Sequence, residues 1–173
     1  MRLEQYINES VLSDDNLIIK TPDKCSKKEI TKFYNLVVKG GQVITGGLKK
    51  SIKNAKFLAF YYDDGEIVSI RAIKKAKPAY RDHVFNNAGV DELADKYQYE
   101  TGWAYTIPSH RRRGIGSFAY KKMLEKAKGI KLFATTRESN IAPQKTLKKN
   151  GFKQIGEPYM GITDDNVILW VRG

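Results

Sequence analysis

The chain has 173 residues, 41% of them hydrophobic and 11% aromatic, which excludes a disordered chain and suits a single folded domain over residues 1–173. Its 31 Lys and Arg against 19 Asp and Glu leave a formal charge of +12, which favours an acidic partner: nucleic acid, a polyphosphorylated cosubstrate, an anionic surface or an acidic protein. Cys25 is the single cysteine, and His83 and His110 lack metal-ligand spacing, so neither an internal disulfide nor a metal site is expected.

In chain order, the opening MRLEQYINESVL has no continuous apolar core of the secretory kind, and no stretch approaches the roughly 18 apolar residues of a membrane span. A cytoplasmic protein with no membrane partner is therefore expected. The run Asn16 to Lys20 reads as a short strand. Ser26 three residues before Glu29 forms a capping box for a helix that stops at Gly40-Gly41. GLKKSIKNA, from Gly47, is a second short helix. Two apolar and aromatic runs around Asp64-Gly65 give the strongest hairpin signal. After Pro78 a helix closes at Gly89, and YQYETGWAYTI, with its aromatic and β-branched residues, predicts a central strand.

SHRRRGIGSF follows that strand directly. Behind it, Gly116, Tyr120, Met123, Leu124 and Ala127 recur at helical spacing with lysines on the other side. KLFATT is a further strand, and NIAPQKTLKKNG a helix ending at Gly151. FKQIG and NVILWVR supply two closing strands. The order predicts an α/β fold, a mixed sheet with helices on both faces.

The segment Arg111 to Gly116 joins a buried strand to a helix start. A helix's first turn offers unpaired N–H groups and partial positive charge, which together bind phosphate oxygens. Gly114 and Gly116 let a pyrophosphate approach the main chain, and Arg111, Arg112 and Arg113 add charge at its mouth. No Lys-Ser/Thr follows, so this is not a P-loop, and Ala119 stands where a dinucleotide fingerprint needs glycine.

IPSHRRRGIG resembles the strand exit of the GNAT N-acetyltransferase superfamily, (Arg/Gln)-x-x-Gly-x-(Gly/Ala), filled here by Arg111, Gly114 and Gly116. Downstream, ATTRESNIAPQKTLKKNGF is similar to that family's second signature, an Asn opening a helix that ends in Gly-Phe: Asn140, Gly151 and Phe152. The resemblance covers roughly residues 15 to 172, with its specific motifs between 97 and 152. It implies a mostly antiparallel sheet of about six or seven strands with a splayed parallel pair at the cosubstrate. It also implies direct acetyl transfer from acetyl-CoA to a primary amine of a protein or small molecule. By that resemblance the amides from Arg112 through Arg113, Gly114, Ile115 and Gly116 to Ser117 hold the pyrophosphate. The strand from Trp103 to Ile107, with Tyr105, Thr106 and Ile107 at its end, pairs with the pantetheine, and Asn140 bonds its amide arm. An ordinary helix cap is the other reading of Asn140.

Direct transfer needs a neutral amine and support for the departing thiolate. Many relatives carry a tyrosine four residues before Gly-Phe; here that position is Leu147. Tyr159 or Tyr105 is the substitute, with core packing as the alternative role of each. Glu100, eleven residues before Arg111, matches the glutamate of the protein-acetylating branch and is the candidate base. Partial burial is expected to raise its pKa; an idle exposed strand start is the alternative. His83 and His110 are weaker bases, and His110 is expected to help position phosphate or to face solvent.

Two other functions compete: a basic nucleic-acid-binding protein, or an enzyme acting on a nucleic-acid-associated amine, and a CoA-binding fold without catalysis. The same resemblance implies that acceptor specificity sits in residues 29–53, 74–95 and 158–165. There Asp82, Asp91, Glu92, Asp164 and Asp165 suit a cationic acceptor, whereas Lys74, Lys75, Lys77 and Arg81 suit an acidic one. Monomer and homodimer are both open. MRLEQYINES also resembles the cleaved targeting peptides of internal head proteins of tailed phages, with Ile7-Asn8-Glu9 as the cleavage triplet, which implies the virion interior. A plain amphipathic helix packing Leu3, Tyr6, Ile7 and Val11 is the alternative.

Overall fold

The structure, a computed structural model, describes residues 12–41 and 43–173. Both readings of the N-terminal segment, as targeting peptide and as amphipathic helix, lie outside the described residues.

Among the described residues seven strands form one sheet: β1 (Leu17–Lys20), β2 (Phe57–Asp63), β3 (Glu66–Lys75), β4 (Tyr99–Thr106), β5 (Leu132–Arg137), β6 (Lys153–Met160) and β7 (Asn166–Arg172). Their order across the sheet is β1-β2-β3-β4-β5-β7-β6. Every neighbouring pair is antiparallel except β4–β5. Among the described residues five α-helices cover it: α1 (Lys27–Gly40), α2 (Leu48–Lys53), α3 (Pro78–Asn87), α4 (Ile115–Lys126) and α5 (Ile141–Lys149).

Alternation along the strands sorts the core into two faces. Phe60 and Ala72 point to α1 and α2 and pack with Phe33 and Ile52. Phe133 and Leu169 continue that side under α3, against Phe85. Ala59, Ile73 and Trp170 point the other way, onto Tyr120 and Met123 of α4 and Leu147 of α5. Each fully buried aromatic or branched side chain contributes about 1.5–3 kcal/mol of apolar burial.

Local signals build these elements as the sequence predicts. The Glu29 amide donates to Ser26 Oγ at 3.1 Å and the Ser26 amide donates to Glu29 Oε2 at 2.7 Å, closing the capping box of α1. The β2–β3 turn holds Asp64 at φ 49° and Gly65 at φ 77°, both left-handed as a tight hairpin turn requires.

Two departures are instructive. FKQIG is expected to end at Gly156, yet β6 runs on to Met160 through a register shift between Ile155 and Tyr159. Gly156, at φ 64°, forms the bulge instead of ending the strand, and the Glu157 amide donates to the Ala88 carbonyl of α3 at 3.0 Å. Arg81, read above as an acceptor-facing cation, is buried; it pairs with its α3 neighbour Asp82 and ties the helix to Asp95 of the turn over Asp91–Lys96, each at 2.7 Å.

Candidate active site

The parallel pair β4–β5 is joined only at Tyr99↔Leu132 and Glu100↔Phe133. Beyond those residues the strands part, leaving main-chain groups of Thr101–Thr106 without a partner on the β5 side. A bulge sharpens the opening. Ile70 pairs with Tyr105 and Ala72 with Gly102, so Trp103 and Ala104 together face Arg71. Trp103 adopts φ 48°, a conformation that costs a bulky residue about 1–3 kcal/mol and collects at functional sites. Arg71 lays its guanidinium 4.0 Å over the Tyr120 ring, and burial lowers its pKa.

At the wide end, β4 passes through Ile107 and a 3₁₀ turn over Pro108–His110 into a loop and then α4. Arg111 folds back: its Nε donates to the Thr106 carbonyl at 2.9 Å, and its guanidinium lies 5.4 Å from the Tyr105 ring. The Thr106 hydroxyl is 2.8 Å from that of Ser69. His110 neither faces solvent nor points into the loop, because Nε2 lies 2.7 Å from Asp63 Oδ2 and Nδ1 2.8 Å from Ser109 Oγ. Arg112 at φ 60° and Gly114 at φ 76° curl the main chain, and Ile115 plugs into the core as the first residue of α4. Among the described residues no side chain caps this helix, so the amides at Gly116 and Ser117 begin it without a capping partner there. Arg112, Arg113, Gly114 and Ser117 are exposed, and among the described residues neither arginine forms an ion pair. A main-chain nest with two arginines at its rim suits a pyrophosphate.

Across the wedge, Asn140 occupies the N-cap position of α5 but its side chain makes no capping bond. It borders a cleft of about 580 Å³ with Thr135, Thr136, Arg137, Ser139 and Pro143. Gln144 Nε2 closes the loop below it, donating to the carbonyls of Arg137 at 3.0 Å and Glu138 at 2.8 Å.

The narrow end is built differently. Glu100 is buried at 5% exposure, so it is no idle exposed strand start. Its Oε2 lies 2.6 Å from Lys74 Nζ on β3, and its Oε1 accepts the Tyr80 hydroxyl of α3 at 3.1 Å. The Lys74 ammonium also sits 5.4 Å over the Trp103 ring. Gly102 makes room for it: a Cβ there would stand 2.8 Å from Lys74 Cε and 3.1 Å from Nζ. These groups line a cleft of about 340 Å³ whose walls include Val37 and Gly40 of α1 and, across the wedge, Thr135 of β5. Burial and then the Glu100 charge hold the Tyr80 hydroxyl far above the ordinary phenol range, and the same two causes raise Tyr159. Both are protonated donors at neutral pH.

The structure thus brings Tyr105, Thr106, Ile107 and the loop together at one end, with Glu100 deeper along the same strand. Leu147 is buried in the core against α4, so no hydroxyl stands at that position. His83 is exposed and bonded to Asn87. Burial pushes the Cys25 thiol up to about 11, so it carries no nucleophilic thiolate at neutral pH. Sequence reasoning missed Tyr80, and it placed Lys74 among acceptor-facing cations without pairing it to Glu100. The only sequence signal for either was the start of a helix at Pro78.

The sequence profile of the acetyltransferase (GNAT) family matches residues 48–152. A comparison with curated protein sequences returns no match. Among solved structures, the chain is similar to Escherichia coli ElaA, with TM-score 0.66 and 13% identity over 91% of this chain and 99% of that one. It is also similar to an acyl-CoA N-acyltransferase from Pseudomonas aeruginosa, with TM-score 0.65 and 14% identity over 91% and 98%. A GNAT family acetyltransferase from Elizabethkingia anophelis with acetyl-CoA bound superposes with TM-score 0.58 and 16% identity over 91% and 97%. The chain belongs to the acetyltransferase (GNAT) family.

Proposed function

We propose that this member of the acetyltransferase (GNAT) family transfers an acetyl group from acetyl-CoA directly to a primary amine, with Glu100 as the base. The observation that carries the reading is the wedge between β4 and β5, with an uncovered helix start at its mouth and a buried carboxylate at its apex. The chain's residues fit the cosubstrate: the curled main chain at Arg112 and Gly114 is an anion cradle, with the exposed Arg112 and Arg113 side chains beside it.

Bound acetyl-CoA supplies the activated thioester. The amides from Arg112 to Ser117 hold its pyrophosphate, with Arg112 and Arg113 adding charge. Arg111 acts indirectly, by bracing the end of β4 through the Thr106 carbonyl. The open edge from Trp103 to Ile107 pairs with the pantetheine, and the Asn140 amide, without a capping bond among the described residues, bonds its arm. Glu100 takes the proton of the incoming ammonium, a step worth about 10²–10⁴ in rate for a well-placed base. Tyr159, kept protonated first by burial and then by the Glu100 charge, is the hydroxyl assigned to the departing thiolate.

Lys50, Lys75 and Lys77 ring a separate hollow of about 530 Å³ just past Lys74, which favours an acceptor bearing negative charge near its amine. Calorimetric titration with CoA, followed by labelled acetyl transfer to a panel of amines, tests the reading. Micromolar CoA binding and transfer are expected. Binding without transfer would leave a CoA-binding fold, and no binding at millimolar CoA would overturn the proposal.

A further inference from the structure

An acceptor amine has to meet two conditions: proximity to the base and a line to the thioester. Lys74 meets both. Its Nζ lies 2.6 Å from Glu100 Oε2 and, with its side chain only 21% exposed, is held against the main chain of Gly102, one residue before the bulge. The cleft it occupies is walled on the far side by Thr135 of β5, so it reaches across the wedge where the two strands part. The Trp103 ring, 5.4 Å away, keeps the ammonium in that seat.

We infer that Lys74 is itself an acetyl acceptor, so that without another amine the chain acetylates its own Lys74 Nζ. This rests on the acetyl-CoA reading given above. Glu100 takes a proton from the Lys74 ammonium, and the freed lone pair forms the N–C bond to the acetyl carbonyl as the C–S bond of acetyl-CoA breaks. Of the two protons the ammonium loses, one ends on the CoA thiol and one in solvent. The amide so formed carries no charge, which removes both the ion pair to Glu100 and the cation over Trp103.

The molecule contains its own control. Lys20 pairs with Glu29 at 2.8 Å with a comparable side-chain exposure of 23%, but it lies on β1, at the far edge of the sheet from β5. A lysine modified merely because it is ion-paired and half-buried would react at Lys20 as readily as at Lys74.

The full-length protein is incubated with acetyl-CoA alone and its lysines are mapped by peptide mass spectrometry, while CoA binding is measured on the same preparation by calorimetry. Lys74 gains one acetyl group at a rate independent of protein concentration, at least about 10-fold faster than Lys20, and Glu100→Gln slows it about 100-fold. After removal of all acetyl-CoA by desalting, the acetylated protein keeps a changed Trp103 emission. Lys74→Arg, treated identically, shows no such change. CoA binding with Lys74 modified no faster than Lys20, or at a rate that rises with protein concentration, overturns self-acetylation and leaves the acetyl-CoA reading intact. Absence of CoA binding overturns both.

Discussion

The two ends of the β4–β5 wedge are made of different materials. At its mouth the groups that matter are main-chain amides and an exposed loop, and the side chains of Arg112, Arg113 and Asn140 have no committed partners among the described residues. At its apex almost every polar group is committed: Glu100 to Lys74 and Tyr80, and Lys74 also to the Trp103 ring. A surface that must hold the same phosphates and amide arm every time can be built from backbone. A surface that must move a proton needs particular side chains, brought together from β3, β4 and α3.

The contrast predicts that changes at the apex abolish chemistry and spare cosubstrate binding, while changes at the mouth do the reverse. The largest effect is expected from Glu100→Gln, which keeps the shape and removes the base. Acetyl transfer to an external amine falls about 100-fold or more, and steady-state kinetics show the loss in kcat. An unchanged kcat would move the proton chemistry elsewhere.

Gly114→Ala is next. A Cβ at φ 76° is strained by about 1–2 kcal/mol, so the loop shifts and the dissociation constant for CoA rises about 10-fold while kcat at saturation holds. Gly102→Ala places a methyl 2.8 Å from Lys74 Cε and pushes the ammonium off Glu100. Thermal unfolding should register a loss of about 1–3 kcal/mol with CoA affinity unchanged, and a loss of CoA affinity would erase the division between the two ends.

The smallest effect lies outside the wedge and serves as its reference. Burial works to raise the Glu29 pKa, but the Lys20 ammonium, the Ser26 amide and the Tyr62 hydroxyl outweigh it and leave the carboxyl below the ordinary glutamate value of 4.5. The folded state therefore gains stability above that pH and loses it as pH falls through the depressed value. Glu29→Gln should cost about 1 kcal/mol at neutral pH in denaturant titrations, a cost that shrinks below about pH 4, with no change in transfer.

This division also explains what the sequence could reveal. The mouth is local: Arg111 to Gly116 are consecutive, Asn140 opens the helix that Gly151 closes, and a reader of the chain meets each group beside its neighbours. The capping box at Ser26 and the turn at Asp64-Gly65 are legible for the same reason. The apex is assembled by strand register. Lys74 stands opposite Glu100 only because β3 and β4 pair as they do, and Tyr80 reaches Glu100 only because α3 packs over β5. Nothing in the spacing of Lys74, Tyr80 and Glu100 announces either contact. The bulge at Trp103 was hidden too, since aromatic and β-favouring residues read as an unbroken strand. At β6 the difference runs the other way, because FKQIG reads as a strand ending at Gly156 and the sheet carries that glycine in a bulge and continues to Met160.

The most direct test of the account is a calorimetric titration of CoA into the wild type and into Glu100→Gln, each followed by an acetyl-transfer assay. Equal, micromolar affinity for CoA is expected in both proteins, and transfer in the wild type alone. Loss of CoA affinity in the Glu100→Gln protein, or transfer that survives the substitution, would contradict it.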